Sequence, residues 1–103
     1  MIIASADGIA GKNVETLGLV RGSVVRAKHI GRDIMAGLKT IVGGEIVGYT
    51  ELMNEARDIA TERMVKHAKQ LGADAIVAVR YETCSIMGGS SEVMAYGTAV
   101  KFV

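Results

Sequence analysis

Three side chains in this sequence have the chemistry to hold a soft metal ion: Cys84, His67 and His29. Thiolate sulfur and imidazole nitrogen are donors that zinc and copper prefer, and a site within one chain needs several of them at fixed geometry. The chain has a single cysteine, so it contains no C-x-x-C pair, and the three candidates are far apart in the sequence. The sequence therefore predicts no complete metal site within one chain.

The same residues could also form a metal site between symmetry-related copies of the chain. If several copies of the chain assemble around an axis, one Cys84 or His67 near that axis is repeated and the copies together supply the ligands. A metal ion held in this way is the one cofactor that the sequence leaves open, and no other cofactor is predicted.

Nucleophilic catalysis is a second chemistry to consider. Ser90, Ser91 and Cys84 are the candidate nucleophiles, with His29 or His67 as the base. A catalytic triad is defined by the geometry of its members, and the sequence has no G-x-S-x-G turn that would present a serine. We therefore predict no catalytic residues and a protein that is not an enzyme.

The composition argues against several classes of partner. Twelve basic and eleven acidic residues leave a net charge of +1, and the only aromatic residues are three tyrosines and one phenylalanine. Nucleic-acid-binding proteins usually carry a basic surplus on one surface. The longest run without a charged residue, 83–91, is far shorter than a membrane span. With one cysteine and no signal-peptide pattern, the sequence predicts a cytoplasmic protein with neither nucleic acid nor membrane as partner.

The helices that position these side chains follow from apolar periodicity. The spacing predicts a long amphipathic helix that Thr50 caps and Gly72 ends, and this helix carries His67. A shorter helix is predicted from Asp33 to Val42. The apolar stripe of the long helix comprises Leu52, Ala56, Ile59, Ala60, Met64, Ala68 and Leu71.

Strands are predicted on both sides of the helices. The first is short, the second is bent or bulged at Gly18 and Gly22, and the last two are joined by a hairpin loop at 88–91. Ala75–Val79 is apolar throughout, which is typical of a strand covered on both faces. The fold class is therefore α+β, a single domain over 1–103 with a mostly antiparallel sheet packed on one long and one short helix. The predicted strands are 2–5, 14–28, 75–85 and 93–102.

The apolar content exceeds what one helix can cover. Half of the residues are hydrophobic, and the last predicted strand has apolar side chains on both of its faces. One long helix covers one face of a sheet, so a second copy of the chain is the expected cover for the other. The residues of that strand are Met94, Tyr96, Val100 and Phe102 on one face and Val93, Ala95 and Ala99 on the other.

The sequence also resembles a known family in segments spread over nearly the whole chain. These segments are 22–25, 31–44, Tyr49 with 55–57, 71–75 and 97–100, and they are similar to the YbjQ-like family of small bacterial and archaeal proteins. The resemblance implies a dodecin-like β-α-β-β core and a ring-shaped homopentamer. The family is often labelled as heavy-metal-binding, and its function is otherwise not established.

Three functions stay open from the sequence. The family label implies metal binding, with Cys84 and the two histidines as the candidate ligands. A pocket between subunits could instead hold a small ligand, for which Tyr49, Tyr81 and Tyr96 are the aromatic contacts. The third hypothesis is a purely structural or interaction role for the ring.

Overall fold

The fold is seen in a computed structural model that describes residues 1–26, 41–42, 45–86 and 90–103. One long helix packs against a four-stranded mixed sheet, which confirms the α+β class. The elements in chain order are β1 (Ile2–Ile3), β2 (Val14–Arg26), β3 (Ile41–Val42), β4 (Glu45–Ile46), α1 (Val47–Gln70), β5 (Ala75–Ile86) and β6 (Ser90–Phe102).

The main sheet has the strand order β1-β5-β6-β2. Its β5–β6 and β6–β2 pairings are antiparallel, while β1 runs parallel to β5. The register of β2 shifts between Thr16 and Gly18, which confirms the predicted bulge. The predicted interruption at Gly22 is wrong, because β2 continues through Gly22 in regular register with Ala95.

The long helix is confirmed, with a different start. It begins at Val47, directly after β4, so Thr50 lies inside the first turn rather than at the cap. It ends where predicted: Gly72 has a φ of +76°, and the Ala73 amide donates a hydrogen bond to the Ala68 carbonyl over 3.1 Å. Glycine adopts this left-handed conformation at little cost, which is why it ends helices so often.

The predicted short helix is wrong at its end, and the rest of it lies outside the described residues. Ile41 and Val42 form β3, which pairs antiparallel with Ile46 and Glu45 of β4. Both residues are β-branched and therefore fit an extended strand better than a helix. A Gly-Gly pair between two such segments signals a hairpin as well as a helix end, and the helical spacing of the apolar residues was misleading.

The core lies between α1 and the sheet and is built from small side chains. Ala56, Ala60 and Ala68 on the buried side of α1 allow the helix to come close to β2 and β6, with Met64 filling the space between them. A second, smaller cluster on the opposite face contains Ala75, Val77 and Val100 under Ile9 and Phe102, so the first half of β5 is covered on both faces as predicted. The buried core between helix and sheet comprises Val20, Val24, Ala56, Ala60, Met64, Ala68, Ile76, Val79, Val93, Ala95 and Ala99.

Ala78 has a backbone conformation that alanine rarely adopts, with a φ of +53°. It lies where the register of β5 shifts, and its amide donates to the Ala6 carbonyl over 2.7 Å. We expect Ala78→Gly to stabilise the protein by up to about 1 kcal/mol, since the left-handed penalty of alanine exceeds the entropy cost of glycine. Urea unfolding at fixed protein concentration measures this difference.

The control for this prediction is Ala95→Gly. Ala95 is buried in the same sheet at an ordinary φ, so glycine there should cost about 1 kcal/mol or more. If Ala78→Gly is as destabilising as Ala95→Gly, the strain at Ala78 does not exist.

Candidate functional site

Part of the sheet face opposite α1, beyond the cluster that Ile9 and Phe102 cover, carries the side chains with functional chemistry, and we call this part the open face. Strand register places its residues in three rows across β2, β6 and β5. No described element covers this region, and Leu19 and Val25 at its β2 edge are 66% and 54% exposed. The rows are Arg21–Tyr96–Arg80, Ser23–Met94–Glu82 and Val25–Glu92–Cys84, with Leu19 beyond the first.

The charges of the open face are divided between its two ends. Arg21 and Arg80 occupy the first row, while Glu82 and Glu92 occupy the next two rows. The Tyr96 hydroxyl donates to Glu82 Oε1 over 3.3 Å. These two cations and two carboxylates cancel, so the described open face is positive at one end, negative at the other and neutral in sum.

Arg80 is fixed at the boundary between the open face and the β1 edge of the sheet. Its Nη1 donates to the Ser5 carbonyl over 3.0 Å and to the Val79 carbonyl over 2.9 Å. An open groove lies here, lined by Ile3 through Ser5 and by Val79 through Tyr81. The polar side chains among its lining residues are the Arg80 guanidinium and the hydroxyls of Ser5 and Tyr81.

Cys84 is exposed at the far end of the open face. Its Sγ lies 4.0 Å from Glu92 Oε1 on the neighbouring strand. A thiolate and a carboxylate are two donors that zinc accepts, and a tetrahedral site needs two more. One chain therefore supplies half of a metal site at this position.

His67 has a different environment from the one a metal ligand needs. It lies on α1 over the edge of β2, and its Nδ1 accepts a hydrogen bond from the Arg21 backbone amide over 3.3 Å. Since α1 and Cys84 are on opposite faces of the sheet, the structure does not bring these two candidates together. His29 lies outside the described residues. Within the described ranges, no three His, Cys, Asp or Glu side chains are grouped to hold a metal ion.

The two candidate serines are also away from a base. They belong to β6 rather than to a hairpin loop, so that prediction is wrong at Ser90 and Ser91, while Gly88 and Gly89 lie outside the described residues. Ser91 pairs with Arg26 on β2. Arg26 is five residues along the strand from Arg21, whose backbone amide donates a hydrogen bond to His67 Nδ1. His67 and the serines therefore occupy different ends of the sheet.

The tyrosines proposed as ligand contacts are separated as well. Tyr81 faces the helix, where its hydroxyl is 2.8 Å from Thr61 Oγ1, and Tyr96 lies on the open face. The Tyr49 side chain is outside what the structure describes. Tyr81 and Tyr96 therefore do not form one aromatic pocket within the subunit.

The reasoning from sequence missed one residue of the site, Glu92 beside Cys84, and one contact outside it, from Arg63 of α1 to a carbonyl of β2. The hairpin register could have found the first, because pairing Ser85 with Ser91 places Cys84 opposite Glu92. No sequence signal identifies Arg63, since its partner is a backbone carbonyl on another element.

A family model described as "Putative heavy-metal-binding" matches residues 1–103. The chain belongs to the YbjQ family. A UPF0145 protein of Vibrio parahaemolyticus is 64% identical, covering 100% of this chain and 99% of that protein. UPF0145 proteins of Clostridium novyi and Methanosarcina acetivorans are 55% and 53% identical over 100% of this chain and over 100% and 98% of their own lengths.

The fold of this YbjQ-family chain is found again in a solved structure. A crystal structure of a protein of unknown function of the DUF74 family from Pediococcus pentosaceus matches with a TM-score of 0.69 and 18% identity, over 100% of this chain and 98% of that one. The likeness shows the fold alone. In the part of the chain that the structure describes, no helix has both the length and the apolar character needed to cross a bilayer.

Proposed function

We propose that this YbjQ-family chain is the subunit of a cytoplasmic homopentameric ring that binds its ligand between subunits and is not an enzyme. The observation that carries the proposal is the open face, where Leu19 and Val25 are exposed on either side of half-buried Met94 and Tyr96. Apolar side chains collected on a sheet face are typical of protein interfaces. A second copy of the chain is the expected cover.

The order of the elements supports a dodecin-like subunit. β2, α1, β5 and β6 follow one another along the chain as strand, helix, strand, strand, with the helix packed on one face of the sheet they form. The short strands β1, β3 and β4 are additions to this core.

The division of charge on the open face supports contacts that join unlike ends of neighbouring copies. A head-to-tail contact can place the Arg21 and Arg80 end of one copy near the Glu82 and Glu92 end of the next, which complementary charge favours. Repeated head-to-tail contacts generate a ring when the rotation closes.

The assembly is tested by sedimentation velocity on the untreated protein. We expect a single species much heavier than the 10.8 kDa subunit. A species of subunit mass at every concentration would overturn the proposal.

Metal binding is the second candidate function, and the pair of Cys84 and Glu92 favours it. One copy offers two donors, 4.0 Å apart, on the face that we propose to be the interface. Copies of this pair repeated around the ring axis would supply the further donors that a zinc site requires. The description of the family agrees with this class of ligand.

We expect Cys84→Ser to weaken zinc binding by at least about tenfold, because serine removes the thiolate donor. Calorimetric titration of the assembled protein with zinc measures the affinity and the number of ions per subunit. Glu82→Gln is the control, since this carboxylate is on the same face but is bonded to Tyr96. If Cys84→Ser binds zinc like the unmodified protein, the thiol is not a ligand.

A further inference from the structure

The outer edge of β2 carries hydrogen bonds from the helix in place of a neighbouring strand. β2 is the last strand of the sheet among the described residues, so alternate residues direct their backbone N–H and C=O away from β6. The Arg21 N–H donates to His67 Nδ1 over 3.3 Å, and the Ser23 C=O accepts from Arg63 Nη1 over 2.6 Å. One donor and one acceptor of the edge are thus both satisfied by α1.

The spacing of the two helical residues fits the spacing of the two strand groups. Arg63 and His67 are four residues apart on a helix, a rise of about 6 Å. Arg21 and Ser23 are two residues apart on a strand, a distance of about 6.7 Å. The hydrogen-bonding chemistry also fits. The imidazole nitrogen of His67 accepts from the Arg21 N–H, and the guanidinium of Arg63 donates to the Ser23 C=O.

Gly22, between the two bonded strand residues, allows the helix to lie this close. A Cβ on Gly22 would contact the Ala60 carbonyl oxygen and the Met64 nitrogen of α1. The helix backbone therefore lies directly over this position. Because the helix is so near, the side chains of Arg63 and His67 reach over the edge of the sheet.

We infer that Arg63 and His67 form an edge guard, a pair of side chains that closes β2 at Arg21–Ser23 to strand pairing with a second copy of the chain. An unprotected strand edge is a template for pairing with another chain, and folded proteins block such edges. The guard directs contact between copies away from this stretch of the edge and toward other surfaces. It is a property of the subunit and does not depend on the proposed ring.

The sharpest test is amide hydrogen exchange at Arg21 in two variants of His67. His67→Asn retains an acceptor near the position of Nδ1 but is the poorer helix former, whereas His67→Ala removes the acceptor and is the better helix former. We expect exchange at Arg21 to be about two- to tenfold faster in His67→Ala and near the native rate in His67→Asn. The slowest core amides of β6 report whether each variant is folded.

A second readout is the size of the particles that form. The double variant Arg63→Met with His67→Ala should produce species heavier than the native particle, with added β-sheet signal in the infrared spectrum, while Arg63→Lys with His67→Asn should not. Faster exchange in His67→Asn than in His67→Ala, or a double variant that keeps the native mass, overturns the edge guard. A native protein of subunit mass would refute the proposed ring and leave the exchange result to decide the guard.

Discussion

Gly22→Ala is expected to destabilise the protein by about 3 kcal/mol or more, the upper range for overpacking a core. The added methyl group would contact the Ala60 carbonyl oxygen and the Met64 nitrogen, and it would lie 2.7 Å from the Arg63 Cβ. Two of these are backbone atoms of α1, so no side-chain rotation relieves the contact and the whole helix must move. Restricting the unfolded chain offsets only about 0.4–1 kcal/mol of this cost.

Urea unfolding of Gly22→Ala beside Gly8→Ala measures the effect. Gly8 has no atom within 4 Å of a built Cβ and no positive φ, so alanine there should be neutral or stabilise by up to about 1 kcal/mol. Exchange at the Arg21 amide should also rise in Gly22→Ala, since moving the helix withdraws His67. A Gly22→Ala protein as stable as Gly8→Ala would show that the helix does not lie against β2 at this point.

Leu19→Arg is expected to dissociate the proposed assembly into folded subunits. Leu19 is 66% exposed in the subunit, so its replacement removes little from the core. In the assembly, arginine would add a third cation to the Arg21 and Arg80 end, which the proposed contact sets against only two carboxylates. Burying that excess charge between copies costs several kcal/mol of binding free energy at each contact. Symmetry repeats that cost around the ring. Light scattering should therefore give the subunit mass.

Val103→Arg is the matched control for this substitution. Val103 is 74% exposed at the end of the chain, away from the open face, and its replacement makes the same change of an apolar side chain to a cation. We expect its mass to equal that of the unmodified protein. Circular dichroism should show native helix in both variants. If Leu19→Arg keeps the native mass, the open face is not the contact surface.

Local patterns were enough to predict the parts of the fold that depend on short-range physics. The stripe from Ala56 to Ala68 predicted α1 because burial of one helical face requires it, and Gly72 marked its end. The apolar run Ala75–Val79 predicted a strand covered on both faces, and the two clusters around β5 confirm this. The prediction failed at Ile41 and Val42, where helical spacing and β-branched residues indicated different structures.

The contacts of the candidate residues could not be predicted from local sequence patterns. His67 was a candidate ligand or base only by its residue type, and its partner is a backbone amide of β2. The sequence predicts an interruption of the strand at Gly22, whereas the real constraint there is the helix that crosses it. The partner of Cys84 depends on the register of a hairpin. In each case the deciding contact joins elements distant in sequence.

The measurement that tests the central claim most directly is a native mass spectrum of the untreated, purified protein. The proposed ring predicts five times the 10.8 kDa subunit, about 54 kDa, and any additional mass weighs the bound metal ion or small ligand. A spectrum with only the 10.8 kDa subunit would contradict assembly through the open face and, with it, ligand binding between copies.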